Sequence, residues 1–364
     1  MVVIWCSISS HGLGHAAQVV PVLNELGRFR PDLRVILRTE VPPWFFRDRL
    51  TVSWTHSPAQ QDIGCIQHGP LQIDVAATWD AHARFHAGWE RKIEEESRAI
   101  RAARPSLVLS DISHLAIEAG ATAGIPAIGL CNLSWDQILE PLADPNQTDQ
   151  QETVALIRRA YASAERMLRL APGLTLPAFP KIADIGPIAS PLAPDRSGLR
   201  RATGAAPDDL VAVVAFGGIA LDTLPFERLD QLDGYRFVVS ETVPDHSRRS
   251  VAASKLAMPF GTLLASADLI VTKPGYSTIV EAVALGKPVV YVRRYNFADE
   301  QALVDYLHRH GRGMELTQQD FADGRWRAAL DAAGRMPPPP EAPPALSGAA
   351  EAAAILRAYL AGDA

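Results

Sequence analysis

Residues 267–294 read Ala-Asp-Leu-Ile-Val-Thr-Lys-Pro-Gly-Tyr-Ser-Thr-Ile-Val-Glu-Ala-Val-Ala-Leu-Gly-Lys-Pro-Val-Val-Tyr-Val-Arg-Arg, and this stretch decides the fold. Its apolar run at 269–272 suits a buried parallel strand. Pro274-Gly275 then interrupts the chain, because proline fixes φ and glycine tolerates positive φ. Ser277 or Thr278 is expected to cap a helix that carries Ile279, Val280, Val283 and Ala284 on one face. Gly286 and Pro288 end it before a strand at 289–292. A glycine turn that opens a helix at the carboxyl end of a parallel strand leaves backbone N–H groups without partners beside a positive helix end, and an anion satisfies both. The same residues also have a use that needs no ligand, since Thr278-x-x-Glu281 is a capping box.

Working outward, the N-terminus repeats the pattern. Residues 2–8 are apolar, Ser9-Ser10-His11-Gly12-Leu13-Gly14-His15 is a glycine-rich turn, and 16–28 read as a helix buried through Val19, Val20, Leu23 and Leu26. Strands are expected at 33–38, 52–55, 107–109, 125–130, 210–216 and 235–240, and helices at 78–104, 115–123, 151–167, 300–310 and 348–360. Residues 56–76 and 132–150 lack periodicity and read as loops, the first placed to cover a cleft. Prolines 172, 177, 180, 187, 191 and 194 mark a domain crossing, and Pro337–Pro340 with Pro343 and Pro344 form a second stiff spacer. The expected division is 1–185, 186–340, and a C-terminal helix in 341–364 that returns to the first domain.

Composition narrows the classes. With 364 residues, 48% hydrophobic and 21% charged, the chain has material for two globular domains. A net charge of −6 without a basic stripe argues against nucleic acid. Cys6, Cys65 and Cys131 form no CxxC pair, which argues against a disulfide framework or a zinc site and for a reducing compartment. No signal peptide or membrane-length apolar run is apparent, so a cytoplasmic protein is expected.

Two such domains set the carboxyl ends of their sheets face to face, where ligands of open α/β sheets bind. Four turns then converge: 9–15, 110–111, 216–219 and 273–278. His15 is a candidate general base, with Asp111 to hold its tautomer; Asp111 is placed equally well to cap the 114–124 helix. His11 and His114 are weaker candidates, and His82 with His86 read as helix surface. Gly14, Gly217 and Gly218 allow close backbone approach to a ligand. Lys273, Gly275, Tyr276, Ser277 and Thr278 form the anion turn, Glu281 lies one helical turn behind it, and Glu300-Gln301 open the next helix.

Gly12-x-Gly14-His15 followed by Pro21, with Asp268 and Gly275-Tyr-Ser-Thr-x-x-Glu281-Ala-x-x-x-Gly286-x-Pro288, resembles the UDP-glycosyltransferases of the two-domain GT-B fold. The branch it is most similar to contains the peptidoglycan N-acetylglucosaminyltransferase. The stretches Lys-Pro-Gly-Tyr-Ser-Thr-Ile-Val-Glu and Val-Arg-Arg-x-x-Phe-x-x-Glu resemble the glycosyltransferase-like N-terminal part of plant arabinokinases still more closely. The resemblance implies two Rossmann-like domains and a UDP- or dTDP-sugar as co-substrate, with no cofactor and no metal. It implies His15 and Asp111 as catalytic base and partner, Gly218 and 275–278 on the diphosphate, Glu281 on the ribose, and Glu300 with Gln301 on the donor sugar. The turn Phe216-Gly-Gly-Ile219 lacks the hydroxyl-rich continuation of many relatives. Nucleotide-sugar hydrolases of the same fold share Gly-x-Gly-His but carry Arg where this chain has Gln18.

Overall fold

Val2–Ile8 is apolar on both faces of its pleat, which suits a strand covered on both sides. It lies inside a seven-stranded parallel sheet ordered Ser53–Ser57, Leu33–Arg38, Val2–Ile8, Leu107–Asp111, Ala127–Cys131, Arg166–Leu170, Ile182–Ile185. A second parallel sheet has six strands in the order Ser250–Ala252, Tyr235–Val239, Leu210–Val214, Leu269–Thr272, Pro288–Tyr291, Arg312–Glu315. The computed structural model describes residues 2–217, 224–240 and 242–360. In each sheet the chain steps outward from an inner strand and then returns to that strand's other side. A switch point therefore falls between Val2–Ile8 and Leu107–Asp111, and another between Leu210–Val214 and Leu269–Thr272. Two doubly wound α/β sheets of this kind match the fold expected from the motifs, and each has its ligand crevice at the carboxyl ends beside the switch point.

Several expected boundaries shift. The span 78–104 is two helices, Val75–His86 and Trp89–Ala103, separated at Gly88, whose φ of 68° is left-handed. The break lets Phe85, His86 and Trp89 all pack against His114. The expected helix at 151–167 is Thr148–Ala162, and Arg166–Leu170 is a strand between Ala127–Cys131 and Ile182–Ile185. No glycine or proline separates 162 from 166, so the local pattern gave no punctuation there. Three further strands, at 182–185, 250–252 and 312–315, are too short to show a period.

The helix Tyr276–Ala284 begins two or three residues earlier than a cap at Ser277 or Thr278 implies, with Gly275 at its N-cap and no side-chain cap. The capping box of Thr278 and Glu281 does not form. Asp111 does not cap the following helix either, since Ser113 does so by accepting from the Ala116 N–H.

Contacts between the two sheets' helices and loops hold the crevice shut. The Tyr276 hydroxyl accepts from the Ile188 N–H at 3.0 Å and donates to the Ala171 carbonyl at 3.1 Å. Phe297 joins the apolar cluster on one face of the first sheet, and Asn132 Nδ2 donates to Asp299 at 3.4 Å. The C-terminal helix Gly348–Leu360 buries Ala352, Ala353 and Leu356 in the cluster that includes Val19, Leu23 and Leu26 of the first helix, Leu13–Phe29. Gly186 N–H donates to Glu351 at 2.7 Å and helps to anchor that helix.

Tyr276→Phe leaves the buried Ile188 N–H unpaired, at a cost of about 1–3 kcal/mol. The unfolding free energy is expected to fall by that amount, read as a lower urea midpoint at unchanged slope. An unchanged midpoint would show the hydroxyl to be idle.

Candidate active site

Topology brings the two glycine turns together. A β-carbon added to Gly12 would lie 3.9 Å from the Gly217 carbonyl oxygen, and the Ser277 hydroxyl donates to the Gly14 carbonyl at 3.2 Å. Gly217 has φ 77°, which a side chain would strain. Gly218 lies outside the described residues.

His15 sits in the first turn of the helix Leu13–Phe29 and is 8% exposed. Asp111 ends the neighbouring strand with no exposure, and its Oδ1 lies 3.1 Å from His15 Nδ1. Burial works against the imidazolium, but the charge and hydrogen bond of Asp111, with the charges of Asp62 and Asp299, outweigh it and raise the His15 pKa above its ordinary value. With Nδ1–H donated to Asp111, Nε2 is the nitrogen left to act as a base.

The expected cover, residues 56–76, is more than a surface loop. Gln61 and Asp62 are buried beneath it. Asp62 accepts from the Ser9 hydroxyl at 3.1 Å and from Trp135 Nε1 at 2.8 Å. Burial pushes its carboxyl up to about 6, against the pull of those donors and of His15. Neither Asp62 nor Trp135 was legible as a site residue, because a buried acid in an aperiodic segment leaves no pattern.

Across the crevice, Lys273 follows the strand Leu269–Thr272. Its ammonium has no hydrogen-bond partner among the described residues, and burial together with the Arg294 charge pulls it down to about 7, against Asp299 and Glu300. Ser277 lines the turn, and Thr278 is half-buried beside it. Tyr276 does not present its hydroxyl to a ligand, because both of its hydrogen bonds go to backbone groups. The Glu281 side chain makes no hydrogen bond among the described residues, and burial pushes its carboxyl up to about 7.

Glu300 and Gln301 are both engaged by arginines. The Glu300 carboxylate accepts from Arg294 Nε at 2.5 Å and from the Arg294 N–H at 2.9 Å, while Gln301 accepts from Arg293 at 3.1 Å. The adjacent Asp299, missed in the sequence, is buried with Oδ1 unpartnered among the described residues. Burial lifts it to about 6, opposed by Arg294 and Lys273. Arg294 lies 3.7 Å above the Phe297 ring, Phe297 stacks on His11, and His11 meets the edge of Trp135. His11 thus belongs to an aromatic bridge between the halves. Burial, then the charges of His15, Lys273 and Arg294, keep its pKa far below the usual range.

His82 and His86 are not helix surface. His82 is fully buried, His86 stacks on it, and His86 Nε2 lies 2.9 Å from His114 Nε2. Burial first, then neighbouring histidine charge, lowers His82 to about 3. The three form a neutral stack apart from the dyad.

The comparisons agree with this architecture. The closed pair of doubly wound domains is the GT-B fold of glycosyltransferases. The calicheamicin glycosyltransferase CalG4 superposes with a TM-score of 0.64 at 16% identity, covering 100% of this chain and 98% of that one. The spinosyn forosaminyltransferase SpnP gives 0.60 at 14%, covering 100% and 95%. UGT71G1 of Medicago truncatula, solved with UDP-glucose, gives 0.60 at 12%, covering 98% and 94%. Within the fold, residues 240–352 match the glycosyltransferase family 28 C-terminal domain. L-arabinokinase of Arabidopsis thaliana is 27% identical over an alignment of 344 residues that covers 91% of this chain and 32% of the plant protein. The chain therefore spans about a third of that relative's length.

A histidine-resolved NMR titration is expected to place His15 above the ordinary value of about 6.5, and Asp111→Asn is expected to bring it down. A His15 that titrates below that value and ignores Asp111→Asn would contradict the dyad.

Proposed function

We propose that this chain is a glycosyltransferase that moves a sugar from a nucleoside diphosphate sugar, UDP- or dTDP-linked, to an acceptor hydroxyl, with inversion and without a metal. The observation that carries the reading is the pairing of His15 with Asp111 in a crevice where Ser277 reaches the Gly14 carbonyl and Lys273, without a hydrogen-bond partner among the described residues, precedes the same helix. His15 Nε2 takes the acceptor's proton, the acceptor oxygen attacks the anomeric carbon, and the bond to the diphosphate breaks with its electron pair on the leaving group. A single in-line displacement inverts the centre. Lys273 and the free N–H groups of the turn at 275–277 receive the developing charge. Glu281 accepts from ribose hydroxyls, and Asp299, Glu300 and Gln301 face the donor sugar. No helix among the described residues is long and apolar enough to cross a membrane, and a cytoplasmic setting is part of the reading.

The helix end alone is insufficient. It contributes about 0.3–2 kcal/mol per charge, against roughly 8–23 kcal/mol for enzymes generally. Lysine charge, base catalysis and positioning supply the rest.

Thermal shift against UDP-, dTDP- and GDP-sugars tests the reading: a donor at about 100 Kd stabilises by about 2.7 kcal/mol. If no nucleotide moves the melt, the reading fails. Sugar release that needs no acceptor would point to a hydrolase. His15→Ala is expected to lower turnover by about 10²–10⁴ with nucleotide affinity retained; full activity would leave only a binding protein. In the wild type, activity is expected to fall as pH drops through a value above about 6.5, since His15 is a base only when neutral and its pKa is raised.

Glu281→Ala is expected to weaken nucleotide binding roughly 10–100-fold, the loss of a charged hydrogen bond. The melting temperature should hold or rise, because a buried carboxyl without a partner is removed. Equal losses of affinity and stability would assign Glu281 a structural role.

A further inference from the structure

The strand that carries Asp111 pairs with the strand Ala127–Cys131, so both residues end at the same edge of the crevice. Cys131 is fully buried and free. One nitrogen of His15, one carboxylate oxygen of Asp111 and the Cys131 sulfur all lie within 4.8 Å of one another. Asp111 Oδ2 is buried with no hydrogen-bond partner among the described residues. Transferase chemistry uses the imidazole and the carboxylate but has no role for the thiol.

A tetrahedral zinc-like ion holds nitrogen and oxygen at about 2.0–2.2 Å and sulfur at about 2.3 Å, which puts its ligands roughly 3.3–3.8 Å apart. His15 Nδ1 and Asp111 Oδ1 are already 3.1 Å apart and the sulfur belongs to the same cluster of ligand atoms, all within 4.8 Å of one another, so a small adjustment of the three side chains completes the set. Three protein ligands of the types N, O and S leave a fourth position for a water.

We propose that His15, Asp111 and Cys131 form an inhibitory site for a zinc-like divalent cation, in which the metal takes the two groups of the dyad out of service. The protons balance as follows. The Cys131 thiol gives up its proton to solvent as sulfur binds the metal. The Nδ1 proton that His15 had donated to Asp111 moves by way of solvent to Nε2. The metal occupies Nδ1, one proton is released per ion, and the imidazole is left with Nε2 protonated. An imidazole in that tautomer cannot accept a proton from an acceptor hydroxyl, and Asp111 is no longer free to stabilise an imidazolium. Burial and the Asp111 charge hold the thiol in its protonated form without metal, so binding is favoured by rising pH.

The activity readout rests on the transferase reading; the binding readout does not. The protein is titrated with Co²⁺ as a spectroscopic substitute and with Zn²⁺. A thiolate-to-cobalt charge-transfer band and tetrahedral visible absorption are expected for the wild type, both lost in Cys131→Ala and Cys131→Ser. Zn²⁺ is expected to block turnover reversibly, with EDTA restoring it, and either variant should need at least about tenfold more Zn²⁺ for the same block. Cooperative thermal melts and wild-type far-UV circular dichroism of both variants show that they remain folded. A wild type without the charge-transfer band overturns the proposal, whatever the activity. So does Zn²⁺ inhibition that is identical in wild type and both cysteine variants. If the band is present and the protein has no transferase activity, the metal site stands and the functional reading falls.

Discussion

The structure depends on the close approach of two backbone turns that carry almost no side chain. Gly12 and Gly14 end one switch point, Gly217 and Gly275 the other, and a hydroxyl-to-carbonyl bond from Ser277 to Gly14 spans the gap. A side chain at Gly12 would meet the Gly217 carbonyl and one at Gly14 the Ser277 hydroxyl, both across the gap. Bare turns let the amides of one domain and the imidazole of the other address the same small volume, which neither sheet provides alone. Tyr276, Phe297 and Asn132 then lock the approach from three directions.

Charge is divided across that volume. His15 is surrounded by Asp111, Asp62 and Asp299, which together overcome the penalty of burying an imidazolium. On the facing side, Lys273 and Arg294 crowd each other, and the lysine has lost much of its affinity for a proton. Arg294 is neutralised by Glu300, whereas Lys273 is not hydrogen-bonded among the described residues. A base held among acids and a cation without a hydrogen-bond partner are what the proposed displacement on a phosphorylated donor calls for. The bridge Arg294–Phe297–His11–Trp135 joins the two sides, and its imidazole stays neutral beside the Arg294 charge.

What could be read from residues alone was local and periodic. Continuous apolar runs marked the inner strands of both sheets, and glycine turns marked their ends, so the two switch points followed from pattern. The strand Arg166–Leu170 was lost because it continues a helix without punctuation and is defined by its neighbours in the sheet. The cap at Gly275 and the free Glu281 ran against a motif, the capping box, that the sequence satisfies and the fold does not use. Asp62, Asp299, Trp135 and Cys131 become site residues only through long-range placement. The histidines at 82 and 86 look like helix surface by spacing, yet His82 is buried and His86 half-buried, because the break at Gly88 lets His86 stack against His114.

The most direct test of the shared pocket is a crystal structure with a non-transferable UDP- or dTDP-sugar. The account predicts the diphosphate on Lys273 and the N–H groups of residues 275–277, with the anomeric carbon facing His15 so that an acceptor oxygen fits between them at about 3–3.5 Å. A nucleotide bound away from that turn, or a donor whose anomeric carbon points away from His15, would contradict it.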